Sequence, residues 1–231
     1  MGARAGAAAR APMDARTMGR VLAALRRDAP AWNTAALAMI ADAAGDDPFR
    51  ILVACLLSLR TRDETTGPAA ARLFALAAGP AALLRLSRRR IERAIFPVGF
   101  YRTKARVLHG VSRQLVARFA GRVPADLDAL LTLPGVGRKT ANLVVTVGFG
   151  LPGICVDTHV HRITNRLGFV RTRTPDETER ALRATLPRRH WIGLNALLVA
   201  YGQNVCQPLS PHCSRCGVRP ACRRVGVVRS R

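Results

Sequence analysis

The sequence predicts an all-α chain. Helix-capping signals recur along it, apolar residues return at helical spacing, and only one short run is strand-like. In chain order, Asp47-Pro48 reads as an N-cap and first helical residue before Phe49-Arg-Ile-Leu-Val-Ala-Cys-Leu-Leu57. Asp63 caps a helix through Phe74, and Ser87 caps another that starts with Arg88-Arg-Arg90. Over residues 102–119, Val107, Leu108, Val111, Leu115, Val116 and Phe119 fall at helical spacing. Thr174-Pro-Asp-Glu177 is a capping box with proline in the first turn, opening a helix towards Leu186. Val144–Val147 is strand-like, but one short β-branched run does not make a sheet.

The 231 residues are 49% hydrophobic, enough to bury a core as one large domain or two small ones. A formal net charge of +23 points to a polyanionic partner, nucleic acid ahead of an anionic membrane surface. A bias of composition towards Ala and Arg is the plainer account of the same charge. Among 37 basic residues only Lys104 and Lys139 are lysines. Guanidinium keeps its proton and is a poor nucleophile, so a lysine retained at a loop–helix junction suggests that an amine is needed there. No apolar run approaches the roughly 18 residues of a membrane span. Residues 1–16 are rich in Ala, Gly and Arg with Asp14 as their one acid, and they lack an apolar signal region. They read as a transit peptide or, preferred, as a basic flexible tail that touches DNA, taken to run to residue 18.

Leu131-Thr-Leu-Pro-Gly135-Val-Gly137-Arg-Lys-Thr-Ala-Asn-Leu-Val-Val145 has the form of a helix-hairpin-helix. A short apolar helix ends before Pro134, a Gly-x-Gly turn follows, and a second helix starts at Arg138. Glycines let the backbone approach a ligand closely, and the N–H groups opening the second helix attract an anion such as a DNA phosphate. A phosphate-binding P-loop needs Gly directly before Lys, and Arg138 intervenes. A purely structural αα-turn is the alternative; the lone lysine and the charge weigh against it. A free lysine of pKa ~10.4 is only about 0.1% neutral amine near pH 7.4, so a nucleophilic lysine must lose its proton.

Val156-Asp-Thr-His-Val-His-Arg162 supplies a second component. Asp157 precedes a helical pattern of Val160, Ile163 and Leu167, and an N-capping role alone would account for it. Beside Lys139 it is also a candidate catalytic carboxylate. His159 and His161 diverge on a helix, which argues against a shared metal. Four of the six cysteines form Cys206-x6-Cys213-x2-Cys216-x5-Cys222, interrupted by Pro208, Pro211, Gly217 and Pro220. Four thiolates closing a proline-rich loop read as a metal site, with zinc and a [4Fe–4S] cluster both open on spacing alone. Cys55 and Cys155 stand in apolar contexts and read as buried small hydrophobes.

Leu133-Pro-Gly-Val-Gly-Arg-Lys-Thr-Ala-Asn142, Val156-Asp-Thr-His159 and the four-cysteine end, in this order, strongly resemble the endonuclease III family. Phe49–Phe74 and Ile95–Lys104 add to the likeness, which covers roughly residues 20–222. The resemblance implies two all-α lobes flanking a DNA-binding cleft. One is a six-helix barrel over 41–151 carrying the hairpin; the other combines 19–40 with 152–231. It implies a [4Fe–4S] cluster on Cys206, Cys213, Cys216 and Cys222. It further implies Lys139 as nucleophile and Asp157 as its carboxylate partner, facing each other across the cleft. Arg60, Phe100, Tyr101, Gly135, Val136, Gly137, Arg138 and Thr140 are the implied DNA contacts. The implied activity is removal of oxidised pyrimidines from double-stranded DNA and cleavage at the abasic site. The expected form is a monomer, cytoplasmic at the nucleoid, without a membrane partner.

Three departures stand out. Arg60 occupies the place of a family Gln that fills the gap left by the extruded base. Phe100 matches a family leucine wedge. The segment Gln207–His212 is nearly neutral where the family loop is usually basic. The adenine-mispair branch shares the hairpin, aspartate and cysteines but generally lacks lysine at the hairpin position, so Lys139 argues against it.

Overall fold

The structure is a computed structural model that describes residues 12–32 and 47–231. Among these residues all regular structure is helical and no strand occurs. The chain divides into two compact units, Met1–Asn33 with Val156–Arg231, and Thr34–Cys155. The first eleven residues of the expected tail, and the lobe boundary expected at 40/41, lie outside the described residues.

Helix α1 (Ala15–Asp28) begins inside the stretch read as a tail to residue 18. Asp14 caps it by accepting from the Thr17 N–H at 2.6 Å. Met18, Val21, Leu22 and Leu25 recur on one face and are buried, and Met13 before the helix is 4% exposed. That apolar stripe ties these residues down, so any tail is shorter than expected.

In the Thr34–Cys155 unit, α2 (Pro48–Ser58) is buried at every position from Phe49 to Leu57 except Arg50. Asp47 caps it through the Phe49 N–H at 2.8 Å. In α3 (Asp63–Leu76) the N-cap is Arg62, whose carbonyl accepts from Thr65 and Thr66; Asp63 is the first helical residue and not the cap. Then come α4 (Pro80–Leu84) and α5 (Arg88–Ile95), the latter capped by Ser87. Helix α6 (Tyr101–Phe119) buries Ala105, Leu108, Val111 and Leu115 against α4 and α5. Val116 falls off that face and is 41% exposed.

Helix α7 (Leu127–Leu131) and α8 (Arg138–Leu143) form the hairpin, and α8 runs on into a π-helical turn, Val144–Gly148. The strand-like reading of Val144–Val147 is therefore corrected: the run is helical. It continues α8 and packs on α2, with Val144 fully buried, and tertiary burial overrides the β-propensity. Thr146 Oγ1 donates back to the Asn142 carbonyl at 2.9 Å, which fastens the run to the preceding turn. One apolar cluster including Leu52, Leu73, Ile91, Leu108, Leu133 and Val144 forms the core of this unit.

In the other unit α9 (Thr158–Leu167) packs on α10 (Pro175–Thr185) and α11 (Leu194–Asn204), and α11 packs on α1. Thr174 caps α10 through the Glu177 N–H at 3.2 Å. The Glu177 carboxylate accepts from the Arg173 N–H at 2.8 Å, and that bond holds its carboxyl below the ordinary range. No helix among the described residues is long and apolar enough to cross a membrane.

The two faces of α6 should separate in stability. Leu108→Ala is expected to cost about 2–5 kcal/mol in urea unfolding, and Val116→Ala within about 0.5 kcal/mol. Equal losses would mean that the buried face has been misassigned.

Candidate functional site

The hairpin turn is shaped by close packing. Leu133 and Val136 turn inward at 2% and 7% exposed, and the Val136 N–H donates to the Leu133 carbonyl at 3.2 Å. Gly135 has φ +73°, and a Cβ there would lie 2.8 Å from Val107 Cγ1 of α6. Only glycine satisfies both the left-handed backbone and the close approach. The first intrahelical bond of α8 runs from the Ala141 N–H to the Gly137 carbonyl. The N–H groups of Arg138, Lys139 and Thr140 precede it and point out of the helix start, as an anion requires.

Side chains on α8 divide sharply. Lys139 is exposed and Arg138 half-buried, whereas Thr140, Ala141, Asn142 and Leu143 are buried. Thr140 and Val136, both among the expected DNA contacts, have buried side chains at 4% and 7% exposed. Asn142, whose role the sequence reading left unassigned, anchors the site. It is 1% exposed, its Nδ2 donates to the Arg138 carbonyl at 3.0 Å, and its Oδ1 accepts from the Ile154 N–H at 3.1 Å. A polar residue among Ala141, Leu143, Val144 and Val145 was the signal for it. Cys55 and Cys155 are 3% and 4% exposed, buried as expected. The Cys155 thiol donates to the Lys139 carbonyl at 3.7 Å, and burial pushes the Cys55 thiol up to about 12.

In the same unit, Arg60 and Phe100 stand exposed on two turns, and the Arg60 guanidinium lies 5.9 Å from the Phe100 ring centre. Tyr101 is half-buried, in edge contact with Phe96 at 5.4 Å.

In the unit containing α9, Asp157 is half-buried and caps that helix. Its Oδ1 accepts from both the His159 and Val160 N–H groups at 2.9 Å. No bond falls on Oδ2 among the described residues, so capping leaves one oxygen of the carboxylate for chemistry. His161 is bonded to Thr178 at 2.7 Å and His159 to Arg162 at 3.2 Å, two different directions.

Cys206, Cys213, Cys216 and Cys222 line one cavity together with Arg166, Tyr201 and His212. Arg162 and Arg166, one turn apart on α9, fasten the loop. Arg162 donates to the Cys206 carbonyl at 2.9 Å; Arg166 donates to the Gln207 carbonyl at 2.7 Å, to the Pro208 carbonyl and to Cys206 Sγ at 3.6 Å. The i, i+4 arginine spacing was their only mark in the sequence. Tyr201 Oη meets Cys216 Sγ at 3.0 Å. Burial pushes the Cys206 and Cys222 thiols up, the latter to about 11. Among the described residues no group of three or more His, Cys, Asp or Glu is placed to hold a metal ion.

Residues 53–188 match the family model described as HhH-GPD superfamily base excision DNA repair protein. Endonuclease III of Thermotoga maritima is 47% identical over 190 residues, covering 80% of this chain and 89% of its own length. Endonuclease III homolog 2, chloroplastic, of Arabidopsis thaliana is 38% identical; the match covers 88% of this chain and 56% of that longer protein. The solved structure of a trapped endonuclease III–DNA covalent intermediate, an estranged-adenine complex, superposes with a TM-score of 0.79 at 32% identity, covering 92% of this chain and 97% of that one. Match, identity and superposition agree with the order of hairpin, aspartate and cysteines, and the chain belongs to the endonuclease III family.

Proposed function

We infer that this chain is a bifunctional DNA glycosylase and abasic-site lyase of base excision repair, and that it removes oxidised pyrimidines from duplex DNA. One observation carries the reading. Of the two lysines, Lys104 is buried, and Lys139 stands exposed in the first turn of α8, on a hairpin that also offers N–H groups to a phosphate. The charge of +23 supports a DNA partner. The protein acts as a monomer on duplexes with damaged or missing bases, in the cytoplasm at the nucleoid.

The damaged base is first extruded from the stack, at a cost of a few kcal/mol that damage lowers. Arg60 and Phe100 take the space it leaves, Arg60 by donating to the orphan base and Phe100 by stacking. The Lys139 amine attacks the sugar C1′, the C1′–N bond breaks, and the base departs with its bonding electron pair and takes a proton. The C1′–O4′ bond of the sugar ring then breaks, O4′ keeps the electron pair and takes a proton, and Nζ and C1′ form an iminium, which acidifies the C2′ proton. Loss of that proton breaks the C3′–O bond and cuts the strand on the 3′ side. Asp157 uses its uncapped oxygen to take the amine proton and to stabilise positive charge on the sugar.

Borohydride reduction should join the native chain covalently to abasic DNA and should not join Lys139→Ala. Equal trapping would move the nucleophile elsewhere, and no trapping by either would leave a DNA-binding module without chemistry. Asp157 can be divided into its two jobs. Asp157→Asn keeps an oxygen for the His159 and Val160 N–H groups and should hold stability within about 0.5 kcal/mol; Asp157→Ala should lose about 1 kcal/mol. Both should lower base excision on the order of 10²-fold or more, and an Asn variant of native rate would reduce Asp157 to a cap.

The family is generally known for a [4Fe–4S] cluster, and the donor set here fits one: four cysteines, each able to give a thiolate, share one cavity. Thiols raised by burial also need a bound cation to stay ionised. Cys206, Cys213, Cys216 and Cys222 would hold the cluster, which supplies a covalent tie for the loop and no redox step. Purified protein should absorb visible light and contain iron and sulfide in about equal amounts, with Cys216→Ser losing both. Colourless, zinc-loaded protein would overturn the assignment.

A further inference from the structure

Lys104 has no part in the chemistry above, and its surroundings are unusual for a cation. It lies on α6, one turn after Phe100, and is 7% exposed. Its ammonium donates to the Leu57 carbonyl at 2.6 Å, the Leu59 carbonyl at 2.6 Å and Thr61 Oγ1 at 2.8 Å. All three acceptors are neutral and lie at the end of α2 and on the turn after it, which carries Arg60. Thr61 Oγ1 also accepts from the Gly99 N–H at 3.2 Å, which links that turn to the one carrying Phe100. The two turns touch at Gly99, where a Cβ would lie 2.7 Å from the Arg60 carbonyl oxygen.

Both probing residues are held in an unfavourable backbone. Arg60 has φ 53° and Phe100 φ 56°, the left-handed region that side chains other than glycine rarely adopt. Such geometry persists only where neighbouring contacts over-determine it. A buried cation without a carboxylate is also costly unless its donors are all used. Here they are: three acceptors match three protons, and a neutral amine would bring only two. Burial draws the Lys104 pKa down to about 8, which still leaves the group mostly protonated near neutral pH. Three acceptors converging on one atom suit a compact ammonium and not a planar guanidinium. That explains a lysine here in a chain whose other cations, Lys139 apart, are all arginine.

We propose that Lys104 is a positioning residue: its ammonium rivets the Arg60 turn beside the Phe100 turn, so that both side chains enter the space left by an extruded base as one unit. The proposal rests on the glycosylase reading above and assigns that reaction a residue that never touches DNA.

Two duplexes of one sequence test it, one intact and one with a tetrahydrofuran abasic analogue, on which no covalent step occurs. The readout is the ratio of the two affinities at fixed salt. The native chain should prefer the analogue, and Lys104→Met should lower that preference by about tenfold. In a Phe100→Ala background the same substitution should have little further effect, because the two act through one contact. Thr61→Val, which removes one acceptor and the Gly99 link, should reduce the preference by a few-fold and covers the case in which Lys104→Met fails to fold. A general loss of structure weakens both duplexes alike. An unchanged ratio in Lys104→Met or Thr61→Val, or an undiminished effect of Lys104→Met in the Phe100→Ala background, would overturn the proposal. If the native chain neither prefers the analogue nor is trapped on abasic DNA, the glycosylase reading itself fails.

Discussion

The interaction on which the rest depends is the burial of the inner face of α8. Six residues of α-helix cannot hold an amine in place by themselves, because so short a helix is unstable in isolation. Here the helix is fixed from its far side. Thr140, Ala141, Asn142 and Leu143 are buried, Asn142 reaches the Ile154 N–H, and the chain continues as a π-helical turn against α2. What remains outside is the opening turn: N–H groups without intrahelical acceptors, Arg138 half-buried and Lys139 in solvent. A fixed base under an exposed side chain is what a nucleophile attacking a bound sugar needs.

A second constraint follows from charge. With 37 basic and 14 acidic residues, most cations have no carboxylate to pair with. Where they are ordered, they turn to main-chain carbonyls. Arg72 donates to the carbonyls of Ala94 and Phe96, Arg162 to that of Cys206, Arg166 to those of Gln207 and Pro208, and Lys104 to those of Leu57 and Leu59. Each cation thereby satisfies carbonyls where a helix ends or a loop begins, positions at which the backbone has lost its own partners. The excess charge thus serves twice, inside as loop fastening and outside as attraction for a polyanion. The cysteine loop illustrates the first use. Its short, proline-broken path has no helix to order it, and two guanidinium groups one turn apart on α9 supply the order.

Local signals were legible because their causes lie within a few residues of one another. Asp47, Ser87 and Thr174 cap their helices as read, since a cap is a bond from a side chain to an N–H two or three positions on. The hairpin was legible through Pro134 and the Gly-x-Gly spacing, which fix where one helix must stop and the next start. The capping role of Asp157 was equally visible, though not that both bonds would fall on one oxygen. Where readings failed, the deciding contact came from elsewhere. Val144–Val147 is helical because α2 lies against it, and the Thr140 side chain is buried because α8 turns that side inward.

The sequence by itself determined the helical class, the hairpin, the candidate lysine and aspartate, and the grouping of four cysteines, because each rests on residue type and short spacing. Tertiary structure alone decided which side chains of those motifs stay in solvent and what supports them. The bond from Lys104 to Leu57 spans 47 positions, and the bond from Arg162 to Cys206 spans 44. No pattern within a helical turn encodes such a pairing. It exists only once packing has carried two distant segments to within hydrogen-bond distance.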